Sequence, residues 1–417
     1  MNKAAGLTVF AVVAAAVSFV ISLAGSSLKS VVQVLFLPIA EGFDVSRGTL
    51  AVATTVFAVV TGISSAVIGH LADKIGAVPV LAIGAGVTGV VLVLCGSTND
   101  IWVFILCYGV LGALGLTMLS FVPLGVLAAQ LFQGRNTGVA YAVLTNGGAV
   151  GFMVLVPLWG HLNQTMTWNE ILFAVGVVFL VVLLPASILL VRYSGKRTRQ
   201  PAPDTTLLEG MRVTFADRRT TPLIIAFFGC GSTMAFVDVH LYPHMHDHGV
   251  PTSVGSTSIA VLGAVEIIGS LVAGRLCDLG RIRFTLAAAY ALRAIATFLL
   301  VFVSGPSTAL MITFGALFGA SYLASVVATT SWLAKILPPG VRGTAIGVLW
   351  TIHMIAVALS SQTGAMIADA TGSYLAMILI CTALTLGSTA IIAFQPDPDA
   401  KPKPPVETRE PVPSTEE

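Results

Sequence analysis

The sequence predicts an all-α membrane protein of about twelve transmembrane helices in two pseudo-symmetric six-helix halves. Three observations carry this. Of the 417 residues, 56% are hydrophobic and only 10% charged, with a mean hydropathy of +0.93, whereas soluble domains carry roughly 25% charged residues. Apolar runs long enough to cross about 30 Å of hydrocarbon recur along the whole chain. Short motifs reappear in order at a nearly constant offset, as repeated halves require.

Turn residues and charges cut the chain into spans at 7–40, 48–72, 78–97, 101–131, 137–162, 169–193, 221–246, 254–278, 284–304, 307–337, 342–369 and 373–395. The first run is long and lacks an evident small-residue cleavage site, so no cleavable signal is expected. Residues 1–193 then form the N-terminal half and 221–395 the C-terminal half. The polar, basic stretch 194–220 reads as a linker, and the proline- and charge-rich tail 396–417 as disordered. Lys74, Arg135, Arg281, Arg283, Lys335 and Arg342 fall in alternate loops, and seven more basic residues run from Arg192 to Arg219. The opposite loops hold essentially only Arg47. The positive-inside rule therefore puts both termini and the linker in the cytoplasm of a multi-pass cell-membrane protein in contact with lipid.

The repeat is visible in residues. Gly69–Asp73 (GHLAD) returns as Gly274–Asp278 (GRLCD), 205 residues on. Gly134–Ala140 (GRNTGVA) returns as Val341–Gly347 (VRGTAIG), 207 on, and the turn glycine Gly42 as Gly249, also 207 on.

Lys29 is an anomaly in the first span, because a lysine at the bilayer centre costs roughly 2.5–3.5 kcal/mol. It falls on one helical stripe with Ser18, Ser22, Ser26 and Gln33. Such a stripe implies a hydrated cavity or an interhelical seam; snorkelling of Lys29 leaves the serines unexplained, so the expectation is a cavity lined by Ser26, Lys29 and Gln33. In span ten, Ser321 or Tyr322 with Ser325, Thr329 and Trp332 form a second polar stripe. In span seven, Asp238 and His240 lie two residues apart and point to different faces; His240 shares one with Thr233 and is the preferred cavity residue. Asn146 and His353 are matched at the repeat offset of 207. The histidine can bond an anion or carry a proton, and an interhelical hydrogen bond is equally compatible. Glu266 lies mid-span eight. Desolvation favours the neutral form of a carboxylate, so one in the membrane can exchange a proton near neutrality.

These residues carry a resemblance that covers nearly the whole chain. Gly69-His-Leu-Ala-Asp73-Lys74-Ile-Gly76 resembles the loop signature of the major facilitator superfamily, departing from it at Ala77 and Val78, where basic residues are usual. The resemblance implies a cytoplasmic gate held by Asp73 and Lys74, with Arg135 and Arg342, and by Asp278 with Arg281 in the second half. Within that superfamily the chain is similar to the monocarboxylate transporter family and its bacterial relatives. The similarity rests on Ser27–Val31, Arg135–Gly138, Val265–Ile267, Thr351–His353 and Thr371–Tyr374. It implies a proton-coupled symporter of a small organic anion, with Lys29 on the substrate carboxylate and Glu266 as proton carrier. Ser270 stands where the family has an arginine one turn later, and Arg293 of span nine is the replacement partner expected for Glu266. Ser26, Gln33, Asn146, His240, Tyr322, Ser325 and His353 complete the expected substrate site.

Other classes are disfavoured. The net charge of +2 gives no case for a nucleic-acid partner. No nucleotide loop, metal cluster or nucleophile motif points to an enzyme or a cofactor, and the single cysteines read as packing residues. His244, His246 and His248 sit in a short loop where alternate side chains diverge, which argues against a metal site. Carboxylate exchange, or export of amphipathic molecules, stays open as an alternative transport mode. The short tail argues against a sensor, and nothing conflicts with a monomer.

Overall fold

A computed structural model describes residues 3–132, 136–194 and 205–398, with side chains from residue 11 onward. Arg135 and the tail from residue 399 fall outside the described residues. Twelve helices among them are long and apolar enough to span a membrane. They are α1 (Ala11–Val34), α2 (Arg47–Ile75), α3 (Ala77–Ser97), α4 (Ile101–Leu131), α5 (Thr137–Leu162), α6 (Trp168–Tyr193), α7 (Thr220–Asp247), α8 (Thr252–Asp278), α9 (Ile282–Phe302), α10 (Thr308–Ile336), α11 (Pro339–Thr371) and α12 (Leu375–Ala393). A linker helix, Leu207–Ala216, joins the halves.

Local chemistry sets the ends. Asp100 caps α4 by accepting from Trp102 N at 2.7 Å. Thr167 with Glu170, and Thr206 with Glu209, form capping boxes at α6 and the linker helix. Gly76 turns α2 into α3 at φ 93°, a conformation that strains any side chain.

The first span departs from the unbroken helix expected. Its regular turns end at Gly25, restart at Ser27 and break again at Leu35 before Phe36–Gly42. Ser26 Oγ donates to the Leu23 carbonyl at 2.7 Å, a back-bond that bends helices. In α7 the turn Phe236–His240 is a wide π turn. It inserts a residue and re-phases every side chain beyond it.

Each half packs its own six spans, and the halves meet along two seams, α2 with α11 and α5 with α8. The hydrogen bonds joining them cluster at the end of the bundle where the linker lies. Thr351 Oγ1 donates to the Gly62 carbonyl at 2.8 Å, and Ser270 Oγ to Asn146 Oδ1 at 3.0 Å. Beyond these contacts Lys29, Gln33 and Asp238 are exposed. The halves are therefore closed at the linker end and part toward the far end.

Candidate functional site

The closed end is built on two aspartates. Asp73, at the end of α2, accepts from Gly343 N and Thr344 N, both at 2.7 Å, and from Thr344 Oγ1 at 2.9 Å. These are first-turn donors of α11, whose own N-cap, Val341, has no side chain to offer. Asp278, at the end of α8, accepts from Gly138 N at 2.8 Å and Val139 N at 3.0 Å. These belong to the first turn of α5, whose N-cap Asn136 makes no side-chain cap either. Each half thus caps a helix of the other, and each carboxylate sits at the positive end of a helix dipole. The equivalent residues lie 205 apart in both pairs, Asp73 with Asp278 and Gly138 with Gly343, where the sequence motifs had suggested 207 for the second. The backbones touch here: a Cβ on Gly69 would collide with the Gly343 carbonyl.

The other expected gate residues play smaller parts. Arg342 donates through Nε to the Leu337 carbonyl at 3.0 Å and acts on Asp73 through space. Lys74 and Arg281 are exposed.

Toward the open end, Lys29 is exposed, with its Nζ 6.0 Å from the centre of the Phe152 ring of α5. Gln33 is exposed as well. The serines of the stripe separate from them. Ser18, Ser22 and Ser26 are buried, and Gly147 and Gly151 of α5 pack directly on Ser22 and Ser26. Ser26 thus belongs to the α1–α5 seam and not to the cavity wall expected of it.

Glu266 lies midway along α8. It is 9% exposed and makes no hydrogen bond or ion pair among the described residues. The charges acting on it through space are Arg293 and Asp238. The direct Glu266–Arg293 pair is not formed. Arg293 is fully buried, and its guanidinium donates to the Ser321 and Tyr322 carbonyls at 2.8 and 3.0 Å, to Ser325 Oγ at 3.0 Å and to Cys230 Sγ at 2.7 Å. A buried cation needs all of its donors used, and the polar stripe of α10 uses them. Ser321, Ser325, Thr329 and Trp332 point into the C-terminal half, while Tyr322 is half-buried at its edge.

In α7 the structure reverses the expected choice. His240 is buried, donates to the Ser361 carbonyl at 3.0 Å and packs under Gly364. Asp238 is exposed and acts on Glu266 and Tyr322. Thr233 is itself fully buried, so the face it shares with His240 packs inside the half, and the open face carries Asp238. Asn146 is also drawn into a seam: its Nδ2 donates to the Ile267 carbonyl at 3.4 Å while its Oδ1 accepts from Ser270. His244 and His248 donate to the Leu300 and His244 carbonyls at 3.0 and 2.8 Å.

His353 is fully buried beside Cys230, and its ring nitrogens, like Trp350 Nε1 one turn earlier on α11, have no hydrogen-bond partner of good geometry among the described residues. The Trp350 ring stacks on Phe121 of α4 across the two halves, with centroids 4.5 Å apart and planes 11° apart. Phe227 packs against both Trp350 and His353. Sequence reasoning missed Trp350, Phe121 and Cys230. Apolar aromatics and a lone cysteine in an apolar helix carry no pattern that marks them.

Comparison with known proteins agrees with this architecture. The family model described as Major Facilitator Superfamily matches residues 10–361 and 258–416. An MFS-type transporter of Bacillus subtilis, YcxA, is 28% identical over 384 residues, covering 91% of this chain and 93% of that one. Human monocarboxylate transporter 12 is 21% identical over 368 residues, covering 80% and 69%. Among solved structures, the Escherichia coli fucose:proton symporter superposes with a TM-score of 0.70 at 13% identity, covering 92% of this chain and 98% of that one.

Proposed function

Because the chain belongs to the major facilitator superfamily, we propose that this transporter carries a small organic anion, a monocarboxylate, across the cell membrane together with protons. The observation that carries the reading is Lys29, an exposed ammonium on a wall that parts from one bearing Glu266, neither of them in an ion pair among the described residues. Similarity to monocarboxylate transporter 12 supports the substrate class.

A carboxylate entering from the open end meets Lys29, and the charge-assisted contact neutralises both groups. Glu266 takes a proton, which removes its own charge from the wall opposite Lys29. With the charges cancelled, the halves rock about the site, the two aspartate caps part, and anion and proton leave at the linker end. By the positive-inside rule that end is cytoplasmic. Asp238 adds a second carboxylate to the C-terminal wall, so an anion is favoured near Lys29 and disfavoured elsewhere.

The test is uptake of labelled lactate, pyruvate and acetate into proteoliposomes with and without an inward proton gradient. Gradient-driven uptake is expected, with Lys29→Ala lowering kcat/KM about a hundredfold, as for loss of a strong charge-assisted contact. Glu266→Gln should keep exchange and lose accumulation driven by the gradient. Fast exchange against preloaded carboxylate with no gradient response in the wild type would make the protein an antiporter. No flux of any of the three would remove the monocarboxylate assignment.

A further inference from the structure

The linker helix Leu207–Ala216 has two unlike faces. On one, Gly210 packs against Thr344 so closely that a Cβ would lie 3.1 Å from its Cγ2, and buried Thr214 donates to the Gly210 carbonyl at 2.8 Å. Thr344 is the residue that holds Asp73, so this face rests on the closed gate. The other face is apolar and open. Leu208 is 76% and Phe215 45% exposed, seven residues apart on one side, while Met211 between them is half-buried against the core. Arg212 is exposed beside this strip and Arg218 just beyond the helix. Arg219 is taken by Asp217 at 2.7 Å, and Thr220 is already the first residue of α7.

We propose that this open strip is a membrane-binding surface. Leu208 and Phe215 enter the headgroup–acyl boundary of the leaflet at the linker end, and Arg212 and Arg218 hold anionic phospholipid headgroups. The occupant follows from position and charge. Three residues separate the helix from a membrane span, which keeps the strip at the bilayer surface. An apolar stripe edged by arginines is the pattern of an interfacial helix, and its charge complements an anionic leaflet. Lipid bound on the outer face then holds the inner face against Thr344, which favours the closed gate.

Fluorescence quenching tests this without reference to any substrate. The five native cysteines are buried, so an environment-sensitive dye can be placed on Leu208→Cys, Phe215→Cys or Glu209→Cys of the full chain. Reconstitution is in phosphatidylcholine vesicles with and without phosphatidylglycerol. At 208 and 215 the expected result is blue-shifted emission, quenching by brominated acyl chains and several-fold slower iodide quenching than at 209. Phosphatidylglycerol should strengthen these differences, and Arg212→Gln with Arg218→Gln should abolish that strengthening. Iodide quenching at 208 as fast as at 209 would overturn the proposal, because the strip would face water. Protection from iodide without quenching by brominated lipid would also overturn it, since protein, such as a second copy of this chain, would then cover the face. Binding indifferent to phosphatidylglycerol would overturn the arginine–headgroup part.

Discussion

Asp73 satisfies three donors of the opposite half with one carboxylate, and its charge is essential to that. In Asp73→Asn the amide has a single acceptor oxygen, and its NH2 confronts a backbone N–H. Loss of such a cap costs about 1–3 kcal/mol. The equilibrium should therefore shift about ten- to a hundredfold toward the form open at the linker end. A cysteine at the buried position Ser65 in the α2–α11 seam reads this shift, through labelling by a thiol reagent added from the linker side; unchanged labelling would contradict the prediction. Asp238 and His240 give a second test. His240→Ala leaves the Ser361 carbonyl without its donor, and the expected loss is roughly 1–3 kcal/mol of stability with KM unchanged. Asp238→Asn should do the reverse, moving KM at constant Tm. A KM effect from His240→Ala at unchanged Tm would return the histidine to the cavity.

At the scale of elements, the linker helix offers a pH test. Hydrogen bonds from the Thr206 backbone and hydroxyl hold the Glu209 carboxyl below its ordinary value. The cap's contribution is then complete above the unfolded-chain value of about 4.3 and fades as pH falls from there through the lower folded value. Protection factors of amides 207–210, referred to intrinsic exchange at each pH, should fall in that acid window. In Thr206→Ala they should be low already at neutral pH, and equal protection in the two proteins would refute the cap. All twelve spans were legible in the sequence because bilayer thickness imposes a length and a hydropathy on each. The two aspartates were legible because their motif repeats. The cavity was only partly so. Helical counting puts Ser26 with Lys29, yet packing of Gly151 sends one into a seam and leaves the other open. Counting rightly pairs His240 with Thr233, yet that face is the buried one and Asp238 holds the open one. Period alone cannot distinguish a polar seam from a wet wall, because both require polar residues every turn.

Across the whole molecule, the two halves must separate at the linker end for transport to complete. A Cβ on Gly62 would lie 2.9 Å from Met354 Cβ, so the pair Gly62→Cys and Met354→Cys is within reach of a disulfide after a small adjustment. Oxidised, it should hold the linker end shut: net transport is lost, binding from the open side is kept, and reduction restores flux. Transport surviving full oxidation would show that this seam does not open. The reciprocal caps carry a further implication. Exchange the names of the halves and the contacts are unchanged, α2 to α11 and α8 to α5, each aspartate reaching the helix start that its own half leaves bare. That is the bonding of an isologous dimer. Two separate six-helix chains about a two-fold axis would make the same pair of contacts, and neither chain alone could close its own helix. The linker makes the meeting of the two halves intramolecular, and its helix rests on Thr344 of one cap.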